Sequence, residues 1–435
     1  MKLKAKHKKT LLSIIISMMV LSANYVVGNT SIPVPDEMRV LRYCDRAKAF
    51  LGLHQDSIPH EVMLIDVYYD KQLIDYAEPK YGKPMGKYVI TDRKKLLDFL
   101  SIAKKANSHK YIFLDVIFEE GMTTEQDSAL FATIASMDNI VIPCHENKPL
   151  QDSILYTKAA NSDYTVTWED NDFARFQFIH QGVKSAPLRI YEDLEHKTIT
   201  QHGLLFTSNG WVCRNGVSLK LPITITGNSK KEGVWKHYDV CNLGTDILSS
   251  DVQIPIAEQI RNKIVVIGDF ENDKHDTYAG TQPGSVICLN AYYALLRGDH
   301  MLSGWTLLFY GVIAALYYFL TLSYLERKTL QSYVKNAWLK VAFSLLNISF
   351  IFWAIAFAVY ILFDIVYCVW VPIGIFSLLD FCISIYYSRQ DIKDTFRSIK
   401  KECIEKYKQI LNRFKHEKAG DNDSSALATT SNRQS

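Results

Sequence analysis

The chain has no Cys-x-x-Cys pair and no cysteine–histidine spacing that would build a tetrahedral zinc site, so a structural zinc module is excluded. It also lacks a glycine-rich phosphate loop, a Gly-x-Ser-x-Gly elbow and a His-Glu-x-x-His pair. Those absences remove the usual signatures of nucleotide hydrolysis, serine hydrolysis and metalloproteolysis. No internal repeat is evident. Of eight cysteines, five (Cys44, Cys144, Cys213, Cys241 and Cys288) fall between residues 30 and 303. An odd number at wide spacing does not make a disulfide framework, and buried small apolar residues are the default reading. Cys213 and Cys241 flank a glycine-rich loop region and form the one candidate disulfide. No enzymatic activity, metal or cofactor is expected.

What the chain does have is long apolar runs. Residues 304–324, 340–363 and 366–387 each approach the roughly 20 apolar residues that cross a bilayer core. Trp305, Trp338 and Trp370 lie near their ends, where amphipathic rings favour the membrane interface. Lysines at 2, 4, 6, 8 and 9 precede a further apolar run, 11–28; Arg327, Lys328, Lys335 and Lys340 follow the first C-terminal run, and a basic tail starts at Arg389. The positive-inside rule makes all three basic stretches cytoplasmic. The expected protein is a multi-pass component of the inner (cytoplasmic) membrane, with residues 30–303 outside and the C-terminus inside. Residues 1–29 fit either a retained signal anchor or a cleaved signal peptide. The net charge of +3 hides an asymmetry: the flanks, spans and tail together hold +10, leaving −7 for the outer segment. Membrane lipid is thus an expected partner, and nucleic acid is not.

The outer segment is large enough for one sizeable domain. Residues 62–69, 111–118, 139–143 and 263–270 are apolar, β-rich runs; residues 93–106, 124–137 and 286–296 have helical periodicity. Strands alternating with helices predict an α/β domain with a mixed, mainly parallel sheet, joined to transmembrane α-helices. The more polar middle, 150–255, has short alternating runs such as 173–179 and 200–206, and is expected to form an antiparallel extension or insertion.

The order of these signals resembles the CHASE domain of the second type, a bacterial extracytoplasmic sensory domain followed by three transmembrane helices and a cytoplasmic output module. The resemblance rests on Asp66, Arg93, Asp115 with Phe118, Asp127 with Ala129 and Leu130, and the segment 264–299, which includes Gly268, Asp276, Thr277, Pro283, Gly284 and Asn290. Two features depart from that pattern: Tyr88–Asp92 replaces a Trp-Pro-rich segment, and Asn290 stands where a histidine is frequent. After the last span only about 48 residues remain, too few for an enzymatic output domain. The resemblance therefore implies a sensory or receptor-like protein that recognises an unknown extracytoplasmic ligand and relays to a separate protein partner carrying the output. An envelope structural or assembly subunit, using the outer domain as an interaction surface, is the alternative.

Candidate ligand-binding residues are Arg93, Asp115, Asp127, Asp273, His275 and Asp276. Asp269, Glu271, Asp273, His275 and Asp276 crowd the end of the 263–270 strand, where ligands of open α/β sheets bind; turn formation and capping are the default reading of such residues. Asp115 and Asp127 could face each other as an acid–base pair; a helix cap or a salt bridge to Arg93 is the preferred reading. Asn347 and Asp380 sit at matching depth in adjacent antiparallel spans, as a polar clasp or a relay. Residues 388–418 carry apolar positions from Ile392 to Phe414 at an 11-residue period. They read as an amphipathic helix that dimerises the chain together with the last span, docks a partner or lies on lipid. Residues 419–435 read as disordered.

Overall fold

The computed structural model describes residues 2–30, 35–52, 62–77, 83–146, 148–166, 173–225, 236–237, 240–249 and 254–304, with scattered positions beyond, the longest run being 353–362. Two units are distinguished, Met1–Ile373 and Gly374–Ser435. In the second, the described residues (374, 378 and 404–406) are helical.

Six parallel strands form the central sheet: β1 (Val62–Asp66), β4 (Tyr111–Asp115), β5 (Ile140–Cys144), β6 (Ala159–Asn161), β7 (Val240–Asn242) and β8 (Ile264–Gly268). Their spatial order is β7-β1-β8-β4-β5-β6, and every neighbouring pair is parallel. The last strand of the sheet in sequence, β8, is inserted between β1 and β4, with Asp66, Gly268 and Asp115 in register at its carboxyl end. All five residues of β8 are buried, as a central parallel strand with helices on both faces requires.

On one face, α3 (Arg93–Ala106) and α4 (Asp127–Ser136) pack Leu96, Phe99, Leu100, Leu130 and Ile134 against Ile65, Leu114, Ile142 and Ile267. On the other lie α5 (Ala186–Glu195) and α7 (Gly284–Arg297), with α5 tied to β4 by a 2.6 Å bond from the Tyr111 hydroxyl to Asp193. Each fully buried aliphatic or aromatic side chain adds roughly 1.5–3 kcal/mol. The start of α3 is fixed by Asp92, whose carboxylate accepts from the backbone N–H groups of Lys94 and Lys95; its end is fixed by Asn107 in the left-handed region. Between β1 and α3, β2 (Lys71–Ala77) and β3 (Pro84–Thr91) pair only with each other, an antiparallel hairpin whose outward side chains include Leu73, Met85 and Val89.

The parallel sheet and its helices thus match the expected α/β arrangement. The polar middle is antiparallel only in part: 165–177 and 199–217 hold antiparallel pairs, but its Ala159–Asn161 and Val240–Asn242 are the two edge strands of the parallel sheet, and residues 223–224 and 236–237 also pair in parallel. The run 200–206 is no single strand: Ile199–His202 and Leu205–Ser208 are two strands of a hairpin, turned at Gly203 with φ 65°. The Cys213–Cys241 disulfide does not form. Cys213 is buried in the strand 211–213, whereas Cys241 lies on β7 at the edge of the central sheet.

Two helices precede the sheet, α1 (Lys2–Gly28) and α2 (Pro35–Phe50). Within α1, His7–Gly28 has mean hydropathy 2.0 and is long and apolar enough to cross a membrane. Its last turn is seated in the domain: the buried Arg175 donates to the carbonyl of Val27 at 2.8 Å. Asn215 N–H donates to the Asn29 side-chain oxygen at 2.7 Å, and the Tyr25 hydroxyl donates to Cys213 O and accepts from Phe206 N–H. Among the described residues only this helix meets the length and hydropathy of a span; Trp353–Leu362 is a shorter apolar helix. Most of 304–387, with Asn347 and Asp380, and nearly all of 388–435 lie outside the described residues.

Candidate functional site

A cleft of about 690 Å³ opens beyond the carboxyl ends of β4, β5, β6 and β8, the edge where open α/β sheets hold ligands. Its ionisable lining is Asp115, Glu119, His145, Lys148, Asp163, Asp269, Asp273, His275 and Lys71, with Tyr88 and Tyr164 as aromatic walls and Cys288 of α7 behind. Parallel strands account for this convergence. Each ends its apolar run at the same edge, so the first polar residue after each run points its chemistry to one place.

Four lateral pairs organise the cleft. Lys71 Nζ lies 2.6 Å from Asp269 Oδ2, and Lys148 Nζ 2.8 Å from Glu119 Oε1. His145 Nδ1 lies 2.8 Å from Asp163 Oδ1, and His275 Nε2 2.9 Å from Asp273 Oδ1. The Tyr164 hydroxyl bonds the other ring nitrogen of His275, and its ring stands edge-on to that imidazole at 4.8 Å between centroids. Burial holds the Tyr164 phenol well above its ordinary range, so it stays a donor toward Nδ1 of His275, whose Nε2 faces Asp273. The hydrogen bond to Asp163 raises His145 and reciprocally lowers Asp163. Although burial works against it, Asp269 is held below the usual carboxylate range by Lys71 and Asn272.

Asp115 is the exception. It is surrounded by dense protein yet keeps part of its surface open to the cleft, and no described group hydrogen-bonds its carboxyl. Burial, then the nearby Asp273 carboxylate, push it up to about 8, against a smaller opposing pull from His145. Cys288 is held well above the ordinary thiol range by burial, then by Asp115 and Asp273, so it is no thiolate nucleophile. Gly284 begins α7 against this wall: a Cβ there would lie 2.5 Å from Asp273 Oδ2 and 3.2 Å from His275 Nε2.

Of the sequence candidates, the cleft unites Asp115, Asp273 and His275, with Asp269 from the same crowded loop. Arg93, Asp127 and Asp276 are placed elsewhere. Arg93 is fully buried: it donates to the Ile117 carbonyl at 2.9 Å, lies 3.8 Å from Asp127 and stacks its guanidinium 4.3 Å over the Phe118 ring. Burial lowers it to about 10, opposed by Asp127. Asp127 accepts from Thr124 N–H and hydroxyl and from the Gln151 amide, closing the first turn of α4. Asp115 and Asp127 therefore form no acid–base pair; the salt bridge to Arg93 holds Asp127 alone. Asp276 accepts from the Thr281 hydroxyl, and its carbonyl accepts from Phe173 N–H, a turn function.

Other residues of the resemblance are likewise structural. Asp66 accepts from Tyr68 and Phe270 N–H groups and so ties β1 to the loop after β8, while Asn290 clamps both backbone groups of Ile223. Missed in the sequence were Lys71, Tyr88, Glu119, His145, Lys148, Asp163 and Tyr164. One rule finds part of this set: take the first polar residue after each apolar strand, which gives His145 after β5, as it gives the already named Asp269 after β8. Among the described residues no three His, Cys, Asp or Glu side chains converge to hold a metal ion.

Comparison with known proteins finds no matching family model, no matching curated protein and no matching solved structure.

Proposed function

We propose that the chain is a membrane-anchored, receptor-like protein of the inner membrane, whose outer α/β domain binds a small polar ligand and relays its state to a separate protein. The observation that carries this reading is the cleft at the carboxyl edge of the parallel sheet, lined from several strand ends and holding an unpartnered carboxyl. The seat of α1 supports a retained anchor, because losing residues 1–28 would strip buried Arg175 of its Val27 acceptor.

A path toward the membrane segments starts beside the cleft. Tyr278, three residues after His275, donates to one oxygen of buried Asp45 on α2 at 3.0 Å. The other oxygen accepts from the Tyr360 hydroxyl, at the outer end of the second expected span. Lys48 and Lys220 stand 4.5 and 5.6 Å from the Tyr360 ring centroid, a cation–π arrangement that ties the helix to the domain. The output partner and a homodimer through the last span and tail belong to the same proposal.

The alternative, an envelope assembly subunit, is favoured by the β2–β3 hairpin, whose Leu73, Met85 and Val89 are exposed in one arm. Thermal unfolding of the full chain in detergent separates the two. A bound ligand at one hundred times its Kd adds about 2.7 kcal/mol. No stabilisation by any small molecule, with stoichiometric co-purification of an envelope protein that is lost on Leu73→Asp, selects the assembly role.

A further inference from the structure

We infer that the cleft is a site for a small organic cation bearing an amino or ammonium group, with the Asp115 carboxyl as its counter-charge. This rests on the receptor reading above and adds the chemistry of the ligand.

The charges of the cleft carry the argument. Five carboxyl groups face two lysines and two histidines, and each of those four bases already has its own carboxylate at 2.6–2.9 Å. Removing these pairs leaves one group over, Asp115. An anionic ligand would have to break a lysine pair and then sit among the surplus carboxylates. A neutral ligand can accept a hydrogen bond from the protonated Asp115 but supplies no counter-charge when that carboxyl ionises. A cation supplies it, and Tyr88 and Tyr164 place aromatic rings in the same lining. A bare metal ion fits poorly, since hard cations need six to eight converging oxygens, on the order of an EF-hand, and no such group converges among the described residues. The volume, about 690 Å³, is within the roughly 300–1,000 Å³ of small-molecule sites.

The groups facing Asp115 are Asp273 from the loop after β8, His145 from the end of β5 and Cys288 from α7. Burial and Asp273 keep its carboxyl protonated near neutral pH in the empty cleft. A cation stabilises the carboxylate, so binding releases the proton from Asp115 to solvent as the ion pair forms.

The test is calorimetric titration of the full-length chain in detergent with putrescine, choline and spermidine, then with succinate and glucose, in two buffers of different ionisation enthalpy. An amine is expected to bind with release of up to one proton. Asp115→Asn, an isosteric copy of the protonated acid, should fold as the parent does, weaken that binding by about tenfold or more and abolish the proton release. Asp273→Asn should reduce the proton release, because the neighbour that raises Asp115 is gone. Binding of succinate or glucose without the amines overturns the cation and leaves the receptor reading standing. Amine binding indifferent to both substitutions overturns the site. Heat from none of the probes overturns both.

Discussion

Arg93–Asp127 and the Asp115 cleft lie on neighbouring elements and use the same residue types, yet they are built for opposite ends. Around Arg93 everything is closed: the guanidinium is fully buried, stacked on Phe118 and held by Ile117 and Asp127, with Asp127 itself saturated by Thr124 and Gln151. Around Asp115 the pairing stops one group short and the surface is open. Nε and Nη1 of the Arg93 guanidinium have no hydrogen-bond partner among the described residues, but the group is fully buried beside Asp127, so this charge serves one conformation of the fold. A charged residue left without a partner beside a cavity is available to something that arrives later.

Breaking the closed region should have the largest effect. Arg93→Leu removes one partner of a buried ion pair and leaves Asp127 uncompensated, a loss of about 3–5 kcal/mol. Chemical denaturation of the full chain in detergent measures it, and a change below about 1 kcal/mol would contradict the structural role given to Arg93. Asp127→Asn keeps the shape but removes the charge facing Arg93 and weakens the turn at Thr124, so a smaller loss of about 1–3 kcal/mol is expected. If either substitution abolished ligand response without lowering stability, the line drawn between the two regions would be wrong.

Much of this architecture was readable from the chain. The helix 93–106 agrees residue for residue with α3, because Asp92 is a capping residue and Leu96, Leu100 and Ala103 repeat at helical spacing. The parallel strands could be read because both their faces are buried and their sequences are apolar throughout, as in 264–268. Short edge strands such as β6 and β7 have only three residues each, too few for any period to show. The site was half legible. Asp273 and His275 stood out as a dense polar loop, but Arg93 and Asp127 look the same in sequence and differ only in what surrounds them. Lys71, Glu119, His145, Lys148 and Asp163 are scattered over some 90 residues of chain and meet only because parallel strands end at one edge.

Gly284→Ala probes the cleft wall without touching the sheet. The added Cβ would press on the movable ends of Asp273 and His275, so the cost to stability should stay below about 1 kcal/mol while the Asp273–His275 pair shifts. Histidine resonances in NMR spectra read that displacement directly. An unchanged His275 signal would mean that the wall yields elsewhere.

The effect that depends on pH, and the clearest contrast with Arg93, belongs to Asp115→Asn. The folded chain holds Asp115 protonated up to about 8, while the unfolded chain releases that proton above 3.8. Between those values the folded state binds more protons, so this group makes stability fall as pH rises, by at most about 1.4 kcal/mol per pH unit, and by less where the open cleft screens it. Asparagine carries no such liability. Parent and variant should therefore unfold alike at acid pH, where the group is protonated in both states, and the variant should become the more stable as pH rises toward 8. Unfolding curves collected from acid pH to pH 8 test the sign. A variant less stable than the parent throughout would show that Asp115 is ionised and partnered in the fold, and the cleft would then be as closed as the pocket of Arg93.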